Sequence, residues 1–285
     1  MLDILFLVLI LLMIVIVWVM LYDSSRFVVV QHEIRDRRIC GHYRVVFLSD
    51  LHNKQFGKNN SQLLEALEEI RPDAVLVGGD MINGKPGEKL DRAVNLLRKL
   101  KEKYPVYYAN GNHEHRIKLY PETYGDEAER YAAALAELGI VPMVNTHVQL
   151  PGINLIIYGS EIDKYFYKRF ITPAMEPEYL PGLLGSPDPG AYTVLLAHNP
   201  DYFPHYARWG ADLVLSGHIH GGIVRIPIWD RGLLSPNVRF FPKYDGGVFH
   251  EGDCTMILSR GLGIHTIPFR LFNPAEVIVI DFTEQ

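Results

Sequence analysis

Three times between residues 43 and 138, a short run of β-branched and aromatic residues gives way to an amphipathic stretch, and this alternation limits the possible folds. Residues 43–49 (YRVVFLS) read as a buried strand, and residues 60–70 (NSQLLEALEEI) have helical spacing, a polar start and a stop at Pro72. Residues 74–77 are a second strand and 88–103 a second helix, ended by Pro105; 106–109 and 126–138 repeat the pair. Strands joined by helical crossovers run parallel and need helices on their faces. The second half is richer in strands, at 154–159, 193–197, 213–216, 255–258 and 277–281. The expectation is an α/β fold: a two-sheet β-sandwich flanked by helices. Residues 164–190, rich in Pro, Gly and aromatics, read as a long excursion, and long excursions in compact domains often carry function.

Residues 4–22 (ILFLVLILLMIVIVWVMLY) form a nineteen-residue stretch without a charge. At ~1.5 Å per residue, a helix of this length covers about the hydrocarbon thickness of a bilayer. Trp18 and Tyr22 sit where an interfacial aromatic belt belongs. A cleaved signal peptide would carry a basic start and a small-residue cleavage site, and neither is here. Residues 1–25 are therefore expected to be a single transmembrane anchor, and 26–285 one catalytic domain, with 27–34 an early strand tying the two together. Arg26, Arg35, Arg37 and Arg38 follow the span and no Lys or Arg precedes it, which leans the domain toward the cytoplasmic side of the cell membrane.

The residues suited to binding metal fall just beyond the apolar runs, where open α/β sheets place their ligand sites. They are Asp50-Leu51-His52, Gly78-Gly79-Asp80, Gly111-Asn112-His113-Glu114, His198-Asn199 and Gly217-His218-Ile219-His220. Residues two apart in an extended segment point to one side, so Asp50 with His52, and His218 with His220, can converge. Asp80 offers two oxygens and suits a bridge between two ions, Asn112 offers a neutral oxygen, and His198 another imidazole. Oxygen and imidazole donors without thiolate suit Mn, Fe or Zn. Any one of these motifs is commonplace in structural positions; five in series, each after a strand, are not explained that way.

The remaining features are less telling. His32, His42, His147, His205, His250 and His265 have no motif context and read as surface or satisfied core residues, with His115, two after His113, a possible exception. Glu114 and Asn199 could orient ligands, and Arg225 could contact a phosphate or be structural. The run 164–170 (KYFYKRF) could meet lipid headgroups or stack on a base, or simply pack on the domain. Cys40 and Cys254 are the only cysteines and read as buried, reduced thiols. With Lys+Arg 28 against Asp+Glu 33, a dedicated nucleic-acid binder is not expected.

Taken together, D-x-H, G-G-D, G-N-H-E, a mid-chain His and G-H-x-H resemble the calcineurin-like metallophosphoesterase superfamily. LLAHNPDYF (195–203), LSGHIHGG (215–222) and SRGLG (259–263), with the apolar start, resemble its bacterial membrane-associated YkuE/YaeI-like branch. The resemblance runs from residue 43 to the end and implies the four-layer metallophosphoesterase fold after one transmembrane helix. It implies two divalent metal ions: Asp50, His52, Asp80 and His220 around one, and Asp80, Asn112, His198 and His218 around the other. It places His113 near the leaving group as the catalytic residue. Ile219 stands where Thr is common and Ile223 where Gln is usual, which puts substrate contacts near Ile223 in question.

The implied activity is hydrolysis of a phosphodiester or pyrophosphate bond by attack of a metal-bridging hydroxide. The substrate is a phosphate ester, and lipid-linked compounds such as UDP-diacylglucosamine are candidates. The competing expectation is a non-catalytic scaffold of the same fold that binds protein partners; such proteins usually lose metal ligands, and every ligand position here is filled. Neither G-x-S-x-G nor a P-loop motif occurs.

Overall fold

The structure is a computed structural model that describes residues 1–235, 239–264 and 269–285. His265 lies outside the described residues. The chain opens with α1 (Leu2–Ser25), a 24-residue helix of mean hydropathy 3.5 over its most apolar window, long and apolar enough to cross a membrane. Its side chains are exposed along almost the whole length, and of its residues only Asp23, near the end, is buried.

Beyond it come β1 (Phe27–Asp36), β2 (His42–Leu48), α2 (Ser61–Ile70), β3 (Ala74–Val77), α3 (Asp91–Lys101) and β4 (Val106–Tyr108). Then follow α4 (Asn112–Leu119), α5 (Pro121–Tyr124), α6 (Glu127–Glu137), β5 (Thr146–Gln149), β6 (Leu155–Ser160) and α7 (Tyr179–Leu184). The chain continues with β7 (Tyr192–Ala197), α8 (Phe203–Trp209), β8 (Leu213–Ser216), β9 (Arg225–Ile226) and β10 (Arg231–Gly232). It closes with β11 (Gly247–Glu251), β12 (Cys254–Leu258) and β13 (Ala275–Glu284).

One sheet has the order β1-β13-β2-β3-β4, the other β11-β12-β8-β7-β6-β5, and β9 with β10 is a small separate ribbon. As expected, β2, β3 and β4 are parallel. The strand expected at 277–281 is longer, running from Ala275 to Glu284, and lies between β1 (parallel) and β2 (antiparallel).

Side-chain alternation along the strands explains the layers. Val45, Phe47, Leu76 and Ile280 of the first sheet share one core with Ile157, Leu196, Leu215 and Ile257 of the second. The opposite face of the first sheet (Val46, Leu48, Val75, Val277) packs on Leu63, Leu67, Leu97 and Leu135 of the helices. The opposite face of the second (Tyr158, Leu195, Val214, Met256) packs on Leu180, Phe203, Tyr206 and Trp209. The result is helix, sheet, sheet, helix.

Several elements escaped the sequence reading. α4 carries little apolar periodicity, β5 and β11 are edge strands of exposed polar character, and α8 hides behind its Pro204. The 164–190 excursion holds a single 3₁₀ turn (Lys164–Tyr167) and α7. Cys40 is exposed, not buried as expected, because it follows the end of β1 in a surface turn; Cys254 is buried and both are free thiols.

Candidate metal centre

The ends of β2, β3 and β4 from one sheet and of β7 and β8 from the other deliver all eight expected site residues to one place. Asp50 N donates to Gly79 O (2.9 Å) and His52 N to Asp80 O (3.1 Å), which locks the first two loops together. His218 N donates to Asp50 Oδ1 (3.0 Å), joining the sheets. Gly217 precedes it, and a β-carbon there would overlap Asp50 Oδ2.

Three overlapping groups result, Asp50/His52/His220, His52/Asp80/His113 and Asp80/His198/His218; all members are buried, and within each the ligand atoms lie within 4.8 Å of one another. His113, expected near the leaving group, thus sits with His52 and Asp80, its Nε2 3.6 Å from Asp80 Oδ2. Asn112, the first residue of α4, has its Oδ1 buried without a hydrogen-bond partner.

The backbone fixes which atoms face inward. His52 Nδ1 lies 3.1 Å from Ile82 O, His198 Nδ1 2.8 Å from Gly78 O and His220 Nδ1 3.1 Å from Gly263 O. A carbonyl only accepts, so each Nδ1 is the donor and each neutral ring presents a lone pair at Nε2. Orienting an imidazole through its second nitrogen is the usual arrangement around a metal. These lone pairs then crowd other acceptors: His52 Nε2 is 3.2 Å from His220 Nε2, and His198 Nε2 is 3.1 Å from Asp80 Oδ2. Pairs of acceptors at such distances repel unless a proton or cation lies between them. Asp80 Oδ1 accepts from His113 N (2.8 Å), while Asp80 Oδ2 and His198 Nε2 are buried without a hydrogen bond. These donor atoms fit divalent cations by chemistry and by placement.

The charges agree. Burial, reinforced by Asp80, pushes the Asp50 carboxyl up. Burial lowers the proton affinity of the His198 ring, but the neighbouring Asp80 and Asp50 outweigh it and push the ring up to about 10, so a proton is the alternative to a cation between its Nε2 and Asp80 Oδ2. The pocket attracts positive charge. Five of the expected ligands (Asp50, His52, Asp80, His218 and His220) have φ between 47° and 73°, the left-handed region that non-glycine residues avoid.

Glu114 sits where an orienting role requires, whereas the Asn199 side chain bonds Phe166 and Asp201 rather than a candidate ligand. Glu114 Oε2 accepts from Asp80 N (2.8 Å) and Gly111 N (2.9 Å), and Oε1 from Met81 N (2.8 Å). Asn199 Nδ2 donates to Phe166 O (3.0 Å), tying the 164–167 turn to the site. Tyr167 of that turn packs on the His218 ring, with centroids 5.3 Å apart. Arg225 is buried and spent on Asp230 and the carbonyls of Gly221 and Asp245, a structural role. Ile223 is buried too, and its carbonyl accepts from Asn273. Arg270 was missed: fully buried, it donates to the carbonyls of Arg260, Gly261 and Gly263. A lone arginine in a loop carries no pattern that would reveal this.

Comparison with known proteins agrees with this geometry. Residues 43–222 match the calcineurin-like phosphoesterase family. A metallophosphoesterase of Helicobacter pylori (strain J99) is 28% identical over 241 residues, covering 82% of this chain but 58% of that protein. YkuE of Bacillus subtilis, also named a metallophosphoesterase, is 25% identical over 240 residues, covering 83% of this chain and 78% of its own length. A zebrafish protein named for a transmembrane protein with a metallophosphoesterase domain is 26% identical over 242 residues, 82% of this chain and 52% of that one. The chain thus spans little more than half of the Helicobacter and zebrafish relatives. With the family matched across most of the folded region, the chain belongs to the calcineurin-like metallophosphoesterases.

Proposed function

We propose that the protein is a membrane-anchored phosphoesterase with two divalent cations, cleaving a phosphodiester or pyrophosphate bond of a lipid-linked substrate. In this reading Asp50, His52, Asp80 and His220 hold one cation, and Asp80, Asn112, His198 and His218 the other. The observation that carries it is Asp80: one carboxylate oxygen is fixed by the His113 amide, and the other is buried, unbonded and ringed by imidazoles. When bound, paired divalent cations stabilise the attacking and leaving oxygens of an in-line displacement and lower the pKa of water.

The chain's own residues do the rest. The Nδ1 bonds to Ile82, Gly78 and Gly263 hold three imidazoles in a fixed orientation, so little reorganisation accompanies binding. His113 Nδ1 is hydrogen-bonded to Asn83 O, so this ring acts through Nε2, which hands a proton to the leaving oxygen only when both ring nitrogens are protonated and otherwise accepts there.

The apolar α1 and the zebrafish relative's name support the membrane. So do the exposed Ile228, Trp229, Phe240 and Phe241, large apolar side chains of the kind that sit in a membrane interface. The test is a liposome assay of the full chain with lipid-linked and soluble phosphodiesters. Preferential turnover of the lipid-linked compound is expected, and a clear preference for soluble nucleotides removes the lipid part of the reading.

A further inference from the structure

Beside the centre lies a cavity of about 290 Å³ lined by Asn112, Arg116, Tyr120, Lys164, Tyr167 and Lys168, among others. Two of these residues connect it to the reaction. Asn112 presents a buried, unbonded Oδ1, and the Tyr167 ring rests on His218. The other feature is charge without neutralisation. Among the described residues, Arg116, Lys164 and Lys168 have no carboxylate within salt-bridge distance, whereas neighbouring Lys118 is paired with Glu161 at 2.7 Å. Lys164 Nζ instead lies 4.0 Å above the Tyr120 ring and Lys168 Nζ 4.1 Å above Tyr165. Ring faces steady an ammonium group without cancelling its charge. In a chain of net charge -5, three uncompensated cations around one cavity are not a by-product of general basicity.

Arg116 is held in place from behind. Its Nη2 donates to the carbonyls of Asn83 (3.1 Å) and Gly84 (2.9 Å), while its Nε is buried without a partner. It also borders a second cavity, of about 420 Å³, that contains His113, Lys85 and Arg169. One guanidinium therefore stands between the space beside Asn112 and the space beside His113.

We infer that this cavity is a subsite for a second phosphate of the substrate, adjoining the one cleaved at the metal centre. The proposal rests on the phosphoesterase reading and narrows it: a diphosphate ester places its second phosphate among Arg116, Lys164 and Lys168, and an isolated diester leaves them unused. Charge-assisted contacts from several cations to one phosphate give the strongest discrimination available between the two.

The test uses the full chain in detergent and the double variant Lys164→Ala/Lys168→Ala, both exposed positions. The ratio of kcat/KM for ADP-ribose to that for bis(4-nitrophenyl) phosphate should fall at least about tenfold in the variant. Calorimetry on chelator-treated protein should show inorganic pyrophosphate binding weakened about tenfold, and orthophosphate less. Equal losses for both substrates with unchanged pyrophosphate binding would overturn the subsite. If the unmodified protein with added metals turned over neither substrate, the phosphoesterase reading would fail instead, and the pyrophosphate titration would still decide the subsite.

Discussion

Asp23, at the end of the apolar helix, accepts a 3.0 Å hydrogen bond from the backbone of Asn273, 250 residues away in sequence. Asn273 Nδ2 in turn donates to His220 O (2.7 Å), so a single residue separates the helix end from an expected ligand. A second link runs in parallel. Arg270 N donates to Ser24 Oγ (2.9 Å), and the Arg270 side chain grips Gly263 O, the carbonyl that also orients His220. Replacing Asp23 with Ala leaves the buried Asn273 amide without its acceptor, at a cost of about 1–3 kcal/mol. A lower melting temperature and weaker metal binding are expected together; a variant with both unchanged would show that the linkage carries no energy.

Asp80→Asn removes the carboxylate shared by both proposed cation positions. Diesterase activity should drop by roughly 10²–10³-fold or more, the scale seen when one preorganised charge-stabilising group is lost. Metal content should fall with it. A variant that hydrolyses bis(4-nitrophenyl) phosphate at the parental rate refutes the assignment.

Glu114→Gln tests positioning. The carboxylate gathers the amides of Asp80, Met81 and Gly111, and an amide side chain cannot accept at both ends. The metal concentration for half-maximal activity should rise about 10–100-fold, with most activity recovered at saturating metal. A loss of thermal stability at unchanged metal affinity would reduce Glu114 to a structural role.

Asp281 sets an acid-side dependence away from the centre. Burial pushes its carboxyl up, but hydrogen bonds from Arg44 (2.7 Å), Gln31 (2.6 Å) and His42 (3.0 Å) outweigh that and hold it below the usual carboxylate range. A pKa lower in the folded than in the unfolded chain adds stability that is complete above the unfolded value, about 4, and is lost as pH falls through the folded one. The gap in melting temperature between parent and Asp281→Asn should therefore narrow from pH 7 to pH 3. A constant gap would contradict this.

Chelation should lower the melting temperature of the full chain, and Mn or Zn should restore it. At a metal concentration of ~100 times Kd, mass action supplies about 2.7 kcal/mol. An unchanged melting curve after complete metal removal would argue against tight cation binding.

Much of this was legible because β3, β7, β8 and the second half of β2 are buried on both faces and read as largely apolar runs, with the metal-competent residues placed abruptly after them. Their convergence could be anticipated from the five motifs taken together. The supports could not. Ile82, Gly78 and Gly263 act through their carbonyls, which every residue possesses. Tyr167 lies in an excursion whose aromatics gave no sign of which one would reach His218. α4 went unread because Asn112-His113-Glu114-His115 offers no apolar stripe, and only Ile117 of its apolar residues is buried.

The left-handed backbone at Asp50, His52, Asp80, His218 and His220 has one more consequence. Each such bend in a residue with a side chain opposes folding by ~1–3 kcal/mol, and all five lie in the same few loops. The centre thus concentrates backbone strain, held in shape by the sheets on either side. Glycine at His218 should give a tougher protein that does less, because at that position durability and chemistry pull in opposite directions.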